Sequence, residues 1–133
     1  MSRASPNSLA DWGWTSVEDA ALAKAGRAGS TVGRVIAEHA GLFRVVTTEA
    51  TLLARPTGKL RQRIERDPAL RPIVGDWVVL GSIHAQGESS LGEVLPRRTF
   101  ISRKDPDNAI VQPIVANVDQ VFIVTTLTGD LSL

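Results

Sequence analysis

The chain has 133 residues, 43% of them hydrophobic, which is enough for one ordinary domain with its own core and excludes a natively disordered chain. It carries no cysteine and no apolar run near the roughly 18 residues that a bilayer-spanning helix needs, so disulfides, thiolate metal sites and a transmembrane helix are excluded. Net charge is only +1, so any pull on an anionic partner must come from how charge is distributed.

Residues 1–30 read as an N-terminal arm. Ser16 followed by Asp19 is a capping-box-like start for a short helix through the Ala-rich stretch that Gly26 would end. Trp12 and Trp14 just before it would dock the arm on the domain. From Thr31 the period becomes that of strands. Thr31–His39 (TVGRVIAEH) alternates, Gly41 breaks it, and residues 42–47 (LFRVVT) resume, which is a hairpin pattern. Residues 51–55 (TLLAR) form a third strand stopped by Pro56. The basic stretch that follows is a loop or a short helix at 59–66. A fourth strand at 76–83 (DWVVLGSI) begins at the Gly75 turn, and a polar turn at 85–90 leads to a fifth at 91–95 (LGEVL).

Five short strands within about 65 residues, with the longest insert between the third and fourth, predict an all-β, five-stranded OB-fold barrel. Another small five-stranded barrel, such as an SH3-like one, fits the spacing too. The tail is different. Residues 118–126 (VDQVFIVTT) are almost continuously apolar, the pattern of a strand buried on both faces in an α/β sheet. No second strand follows it. Such a strand either lies disordered, folds back on the barrel, or pairs with a second copy of the chain.

Charge is concentrated in two places. Between Arg55 and Arg71 six basic residues face two acidic ones, and Arg97, Arg98, Arg103 and Lys104 have no acid among them. These hold ten of the fifteen basic residues, whereas the start of the arm carries the acids Asp11, Glu18 and Asp19. An OB barrel binds RNA through a positive groove and loop contacts to phosphates. The candidate RNA contacts are therefore Arg34 and Arg44 on the first hairpin, Arg55, Lys59, Arg61 and Arg63 after the third strand, and Arg97 and Arg98 after the fifth.

No catalytic or cofactor site is expected in the chain. The one Gly-Lys pair, Gly58-Lys59, has Leu53 and Leu60 where a phosphate-binding loop needs glycine and a hydroxyl. His39 and His84 have no ligand-like neighbours in sequence. Asp76 is a functional acid or a turn residue, and the turn is the simpler reading. Trp77 and Phe43 are read as core rather than as base-stacking platforms.

Several segments resemble the ribosome small-subunit-dependent GTPase A family (RsgA or YjeQ). They are LADWGW at 9–14, GRV at 33–35, VGDWV at 74–78, EVLPRR at 93–98 and QPIVANVDQVFIVTT at 112–126, in the family's order. The resemblance implies an N-terminal OB domain followed by a circularly permuted GTPase domain and a zinc-binding domain. On that layout residues 1–30 are the arm, 31–98 the RNA-binding OB domain, 99–117 a linker and 118–133 the first strand of the α/β GTPase domain. GTP with magnesium, and zinc, belong only to later parts. The implied partners are the small ribosomal subunit and its 16S-type rRNA, not a membrane. An N-terminus without the apolar stretch of a signal peptide points to a soluble cytoplasmic protein. The alternative is a non-catalytic protein-interaction barrel unrelated to ribosomes.

Overall fold

The computed structural model describes residues 8–84, 87–107 and 109–127. Part of the turn expected at 85–90 and the last residues of the 118–133 segment lie outside them. Strands β1 (Thr31–His39), β2 (Leu42–Val46), β3 (Thr51–Pro56), β4 (Trp77–Ile83) and β5 (Glu88–Val94) close a barrel in the order β1-β2-β3-β5-β4. Only β3 and β5 pair in parallel; every other neighbour is antiparallel. Parallel pairing requires a long connection, and helix α2 (Gly58–Arg66) with β4 provides it. This is the OB arrangement.

Two apolar layers hold the barrel. Inside it, Val35, Phe43, Val45, Leu52, Ala54, Val78, Leu80 and Leu91 interdigitate, and Leu60 with Ile64 of α2 joins them from outside the strands. On the far side of β4 a second layer, Val32, Trp77, Val79 and Leu95, packs under Leu9, Trp12, Trp14 and Leu22 of the arm. Hence the unbroken apolar run Trp77-Val78-Val79-Leu80: alternate residues face the barrel and the arm, and all four are buried. Phe43 and Trp77 are at most 2% exposed, as core residues should be.

Helix α1 (Ser16–Lys24) begins one residue earlier than its sequence suggests. Thr15 is the N-cap and accepts from the Val17 N–H, while the Glu18 carboxylate accepts from the Thr15 N–H at 2.7 Å. Asp19, expected in that role, instead accepts from Trp14 Nε1 at 2.8 Å. Gly26 (φ +71°) ends the helix, with the Arg27 and Gly26 N–H groups bonded back to the Leu22 and Ala23 carbonyls.

Residues 99–117, expected as a linker, carry an antiparallel hairpin of β6 (Phe100–Lys104) and β7 (Val111–Ala116). Pro113 reads as an interruption, but in a two-stranded sheet every strand is an edge, where proline is tolerated, and a register shift lies beside it. Val74 and Ala116 join this hairpin to the barrel through an Ala116 N–H to Val74 carbonyl bond of 2.9 Å. The contact is close enough that a Cβ on Gly75 would lie 2.0 Å from the Ala116 carbonyl oxygen. The strand expected at 118–126 is not formed. Phe122, Ile123 and Val124 are 83%, 91% and 90% exposed, because a strand buried on both faces needs neighbours that no described residue supplies.

The β1–β2 turn consists of Ala40 (φ +52°) and Gly41 (φ +80°), both in the left-handed region that a two-residue hairpin turn of this type demands. Glycine adopts it freely, whereas alanine is strained there. Replacing Ala40 with Asn should raise unfolding free energy by about 0.5–1 kcal/mol. Urea midpoints of the two proteins at equal slope measure this; a lower midpoint in the variant would contradict it.

Candidate nucleic-acid interface

The eight basic residues singled out by sequence fall into two groups. Arg34, Arg97 and Arg98 are committed to internal partners. Arg44, Arg55, Lys59, Arg61 and Arg63 are exposed, and among the described residues no ion pair engages them.

β1 places Arg34 opposite Trp77 of β4, with its guanidinium 5.3 Å from the indole ring. It donates to the Gly75 carbonyl at 3.1 Å, the Asn117 carbonyl at 2.8 Å and the Trp12 carbonyl. Burial pushes its pKa down, opposed mainly by Asp119, and an arginine so placed still keeps its charge. Arg97 makes a two-pronged pair with Asp76, at 2.8 and 2.9 Å, and donates to the Ala69 and Arg71 carbonyls. Asp76 is fully buried and also accepts from the Ile73 N–H at 2.8 Å. It is thus the turn residue expected, with an arginine holding it. Arg98 pairs with Glu18 at 2.7 Å, and Glu18 is 4% exposed. Drawing either arginine to a phosphate would strand a buried carboxylate, which costs about 3–5 kcal/mol. Arg34, Arg97 and Arg98 thus serve as internal anchors in this structure. Sequence shows their charge but not the carbonyls and carboxylates that consume it.

The remaining basic residues occupy the outer surface around β2, β3 and α2. Arg44 lies beside Leu53, and the next row holds Arg55 beside Ser90 of β5. Leu53 is 38% exposed between the two arginines. Helix α2 starts because Thr57 caps it, accepting from the Leu60 N–H at 3.1 Å. Leu60 and Ile64, four apart, face the barrel, and that phase decides where the charges go. Arg61 and Arg63 are two positions apart, so they project about 200° apart around the helix. Lys59, Arg63 and Arg66 share one flank. Arg61 faces the other, where it meets Arg55 and Arg71 around a cleft of about 290 Å³ under the β1–β2 turn. Arg66 and Arg71 were counted in the basic stretch but not singled out; the helical spacing from Leu60 identifies the first, while only the fold brings in the second. His39 and His84 are exposed, and no cluster of potential metal ligands occurs among the described residues. No described helix is long and apolar enough to cross a membrane.

No family model matches the chain. The small ribosomal subunit biogenesis GTPase RsgA 2 of Lactiplantibacillus plantarum is 32% identical over 125 residues, 94% of this chain. The small ribosomal subunit biogenesis GTPase RsgA of Methanosarcina acetivorans is 38% identical over 102 residues, 76% of this chain. The crystal structure of YjeQ from Thermotoga maritima matches 68% of the chain with a TM-score of 0.50 at 26% identity. The chain belongs to the RsgA family and corresponds to its N-terminal portion. It spans 34% and 26% of the length of the two RsgA relatives and 28% of the YjeQ chain.

Within this RsgA segment the Glu18–Arg98 pair has a pH signature. Burial alone would raise the Glu18 pKa, but hydrogen bonds from the Thr15 hydroxyl and backbone, with the Arg98 charge, hold it below the ordinary value. A carboxyl depressed on folding adds stability above its unfolded pKa, about 4.3, and loses it as pH falls through the folded value. Unfolding free energy should therefore drop on acidification below about pH 5, and Glu18→Gln should lower neutral-pH stability and flatten that drop. Urea titrations at several pH values measure both; an unchanged acid slope in the variant would remove Glu18 as its source.

Proposed function

We propose that this chain is the rRNA-binding module through which a GTPase of small-subunit maturation holds the small ribosomal subunit. The observation that carries this reading is the set of exposed basic residues, Arg44, Arg55, Lys59, Arg61, Arg63 and Arg66, with no ion-pair partner among the described residues. Surface arginines in ordinary proteins are usually balanced by nearby carboxylates; here α2 has only Glu65 among its charges of opposite sign. The relatives' names, which place them in small-subunit biogenesis, make a phosphate-rich partner the natural one. On this reading residues 118–133 begin the GTPase domain, and the exposed Phe122, Ile123 and Val124 await its sheet. The surroundings would be cytoplasmic.

Each phosphate neutralised adds roughly 0.7–0.9 to the slope of log affinity against log salt. The triple variant Lys59→Gln, Arg63→Gln, Arg66→Gln should bind small subunits more weakly and lower that slope by about one to two. A salt series on small subunits, large subunits and an unrelated RNA measures this. Salt-insensitive binding would favour the protein-interaction barrel instead, and equal affinity for all three targets would reduce the claim to non-specific polyanion binding.

The chain should bind no guanine nucleotide, since Leu53 and Leu60 stand where the phosphate loop requires glycine and a hydroxyl. Titration with a fluorescent GTP analogue checks this, and saturable micromolar binding would contradict it.

A further inference from the structure

We infer that the cleft between the β1–β2 turn and α2 receives a single unstacked nucleotide, so that the module selects single-stranded over duplex RNA. The inference rests on the proposed RNA-binding role and assigns that role a specific site. Three features of the cleft carry it.

The first is its lining. Pro56 and Ile64 supply apolar surface above buried Phe43, and Arg55, Arg61 and Arg71 supply guanidiniums. At about 290 Å³ it is at the small end of ligand pockets, large enough for a base and too small for a helix. A surface evolved only to meet duplex phosphates has no use for an apolar recess. An unstacked base does, because it loses its stacking partner and regains one on an apolar or guanidinium face.

The second is that the walls are held in place. Glu38 Oε1 accepts from Arg71 at 2.9 Å and from the Gly41 N–H at 3.2 Å, tying the turn to Arg71. The Arg71 carbonyl in turn accepts from Arg97, which is anchored on buried Asp76. Arg71 is thus tethered at its carbonyl and at one guanidinium nitrogen, with less to lose on binding than a free side chain.

The third is the contrast between the rims. Arg55 and Arg61 have no ion-pair partner among the described residues, so their charge is free for the phosphate of the inserted nucleotide. Lys59, Arg63 and Arg66, on the other flank of α2, have charge without a recess. They should serve any RNA alike.

The test uses the whole chain and two labelled probes with equal numbers of phosphates, a single-stranded oligoadenylate and a blunt RNA duplex, with polyglutamate as a non-nucleic polyanion. Wild-type protein should prefer the single strand. Arg55→Gln with Arg61→Gln should weaken single-strand binding about tenfold and duplex binding far less, erasing the preference. The Lys59, Arg63, Arg66 triple variant should weaken both probes by the same factor. Amide chemical shifts should move at Gly41 and Ile64 on adding oligoadenylate, which reports the cleft without any substitution. Equal losses for both probes in the Arg55, Arg61 variant, with RNA binding otherwise intact, would overturn the cleft and leave the RNA-binding role standing. Polyglutamate binding as tightly at Gly41 and Ile64 would overturn it too. Absence of binding to any RNA and to small subunits by wild type would overturn both.

Discussion

A guanidinium taken out of water must find acceptors for its donors, and Arg34 finds them in three separate parts of the chain. The carbonyls of Trp12, Gly75 and Asn117 come from the arm, the start of the fourth strand and the end of the hairpin. Leaving any of them unmade would strand a half-buried charge, so the three segments hold position together. Asn117 completes the junction from the other side. Its backbone sits at φ +55°, its side chain accepts from the Arg98 N–H and donates to the Gly75 carbonyl, and its N–H reaches the Thr99 carbonyl. The chain therefore leaves the barrel at a determined point and in a determined direction.

The same logic sorts the arginines. A side chain near buried acceptors becomes part of the scaffold, and one facing solvent without a carboxylate nearby is left to act on something else. Arg97 and Arg61 look alike in composition, yet one is locked on Asp76 and the other borders an open cleft. The scaffold arginines support the outward ones indirectly. Arg97 grips the Arg71 carbonyl, so a buried ion pair helps shape the surface that faces a ligand.

The barrel was legible in the sequence because its strands alternate and its breakers are unambiguous. Thr31–His39 matches its strand to the residue, and Gly41 marks the turn. The start of β5 at Glu88 was not legible, since Glu88, Ser89 and Ser90 are polar and strand only by pairing with β3 across the closure. The hairpin at 100–116 was hidden by Pro113, a residue that signals interruption unless the strand is known to be an edge. At the interface, clustering in sequence found the outward arginines of β3 and α2, because they leave the barrel together. It could not separate them from Arg34, Arg97 and Arg98, whose side-chain partners lie between 21 and 83 residues away along the chain. Nor could it show that Arg61 and Arg63 point to different sides, because that requires knowing which residues α2 buries.

The arm's docking has an optical consequence. The protein has three tryptophans and no tyrosine. All three belong to the layer between arm and barrel, with Trp14 and Trp77 edge to face at 4.9 Å and Arg34 over Trp77. Its intrinsic emission therefore comes from a single structural neighbourhood. Release of the arm would change that emission while the barrel interior, lit by no tryptophan, stayed closed. Occupation of the arginine-rimmed cleft, whose only aromatic is Phe43, would pass unseen. The protein carries a built-in optical reporter for the junction between its arm and its exit strand, and a silent surface where its ligand would sit.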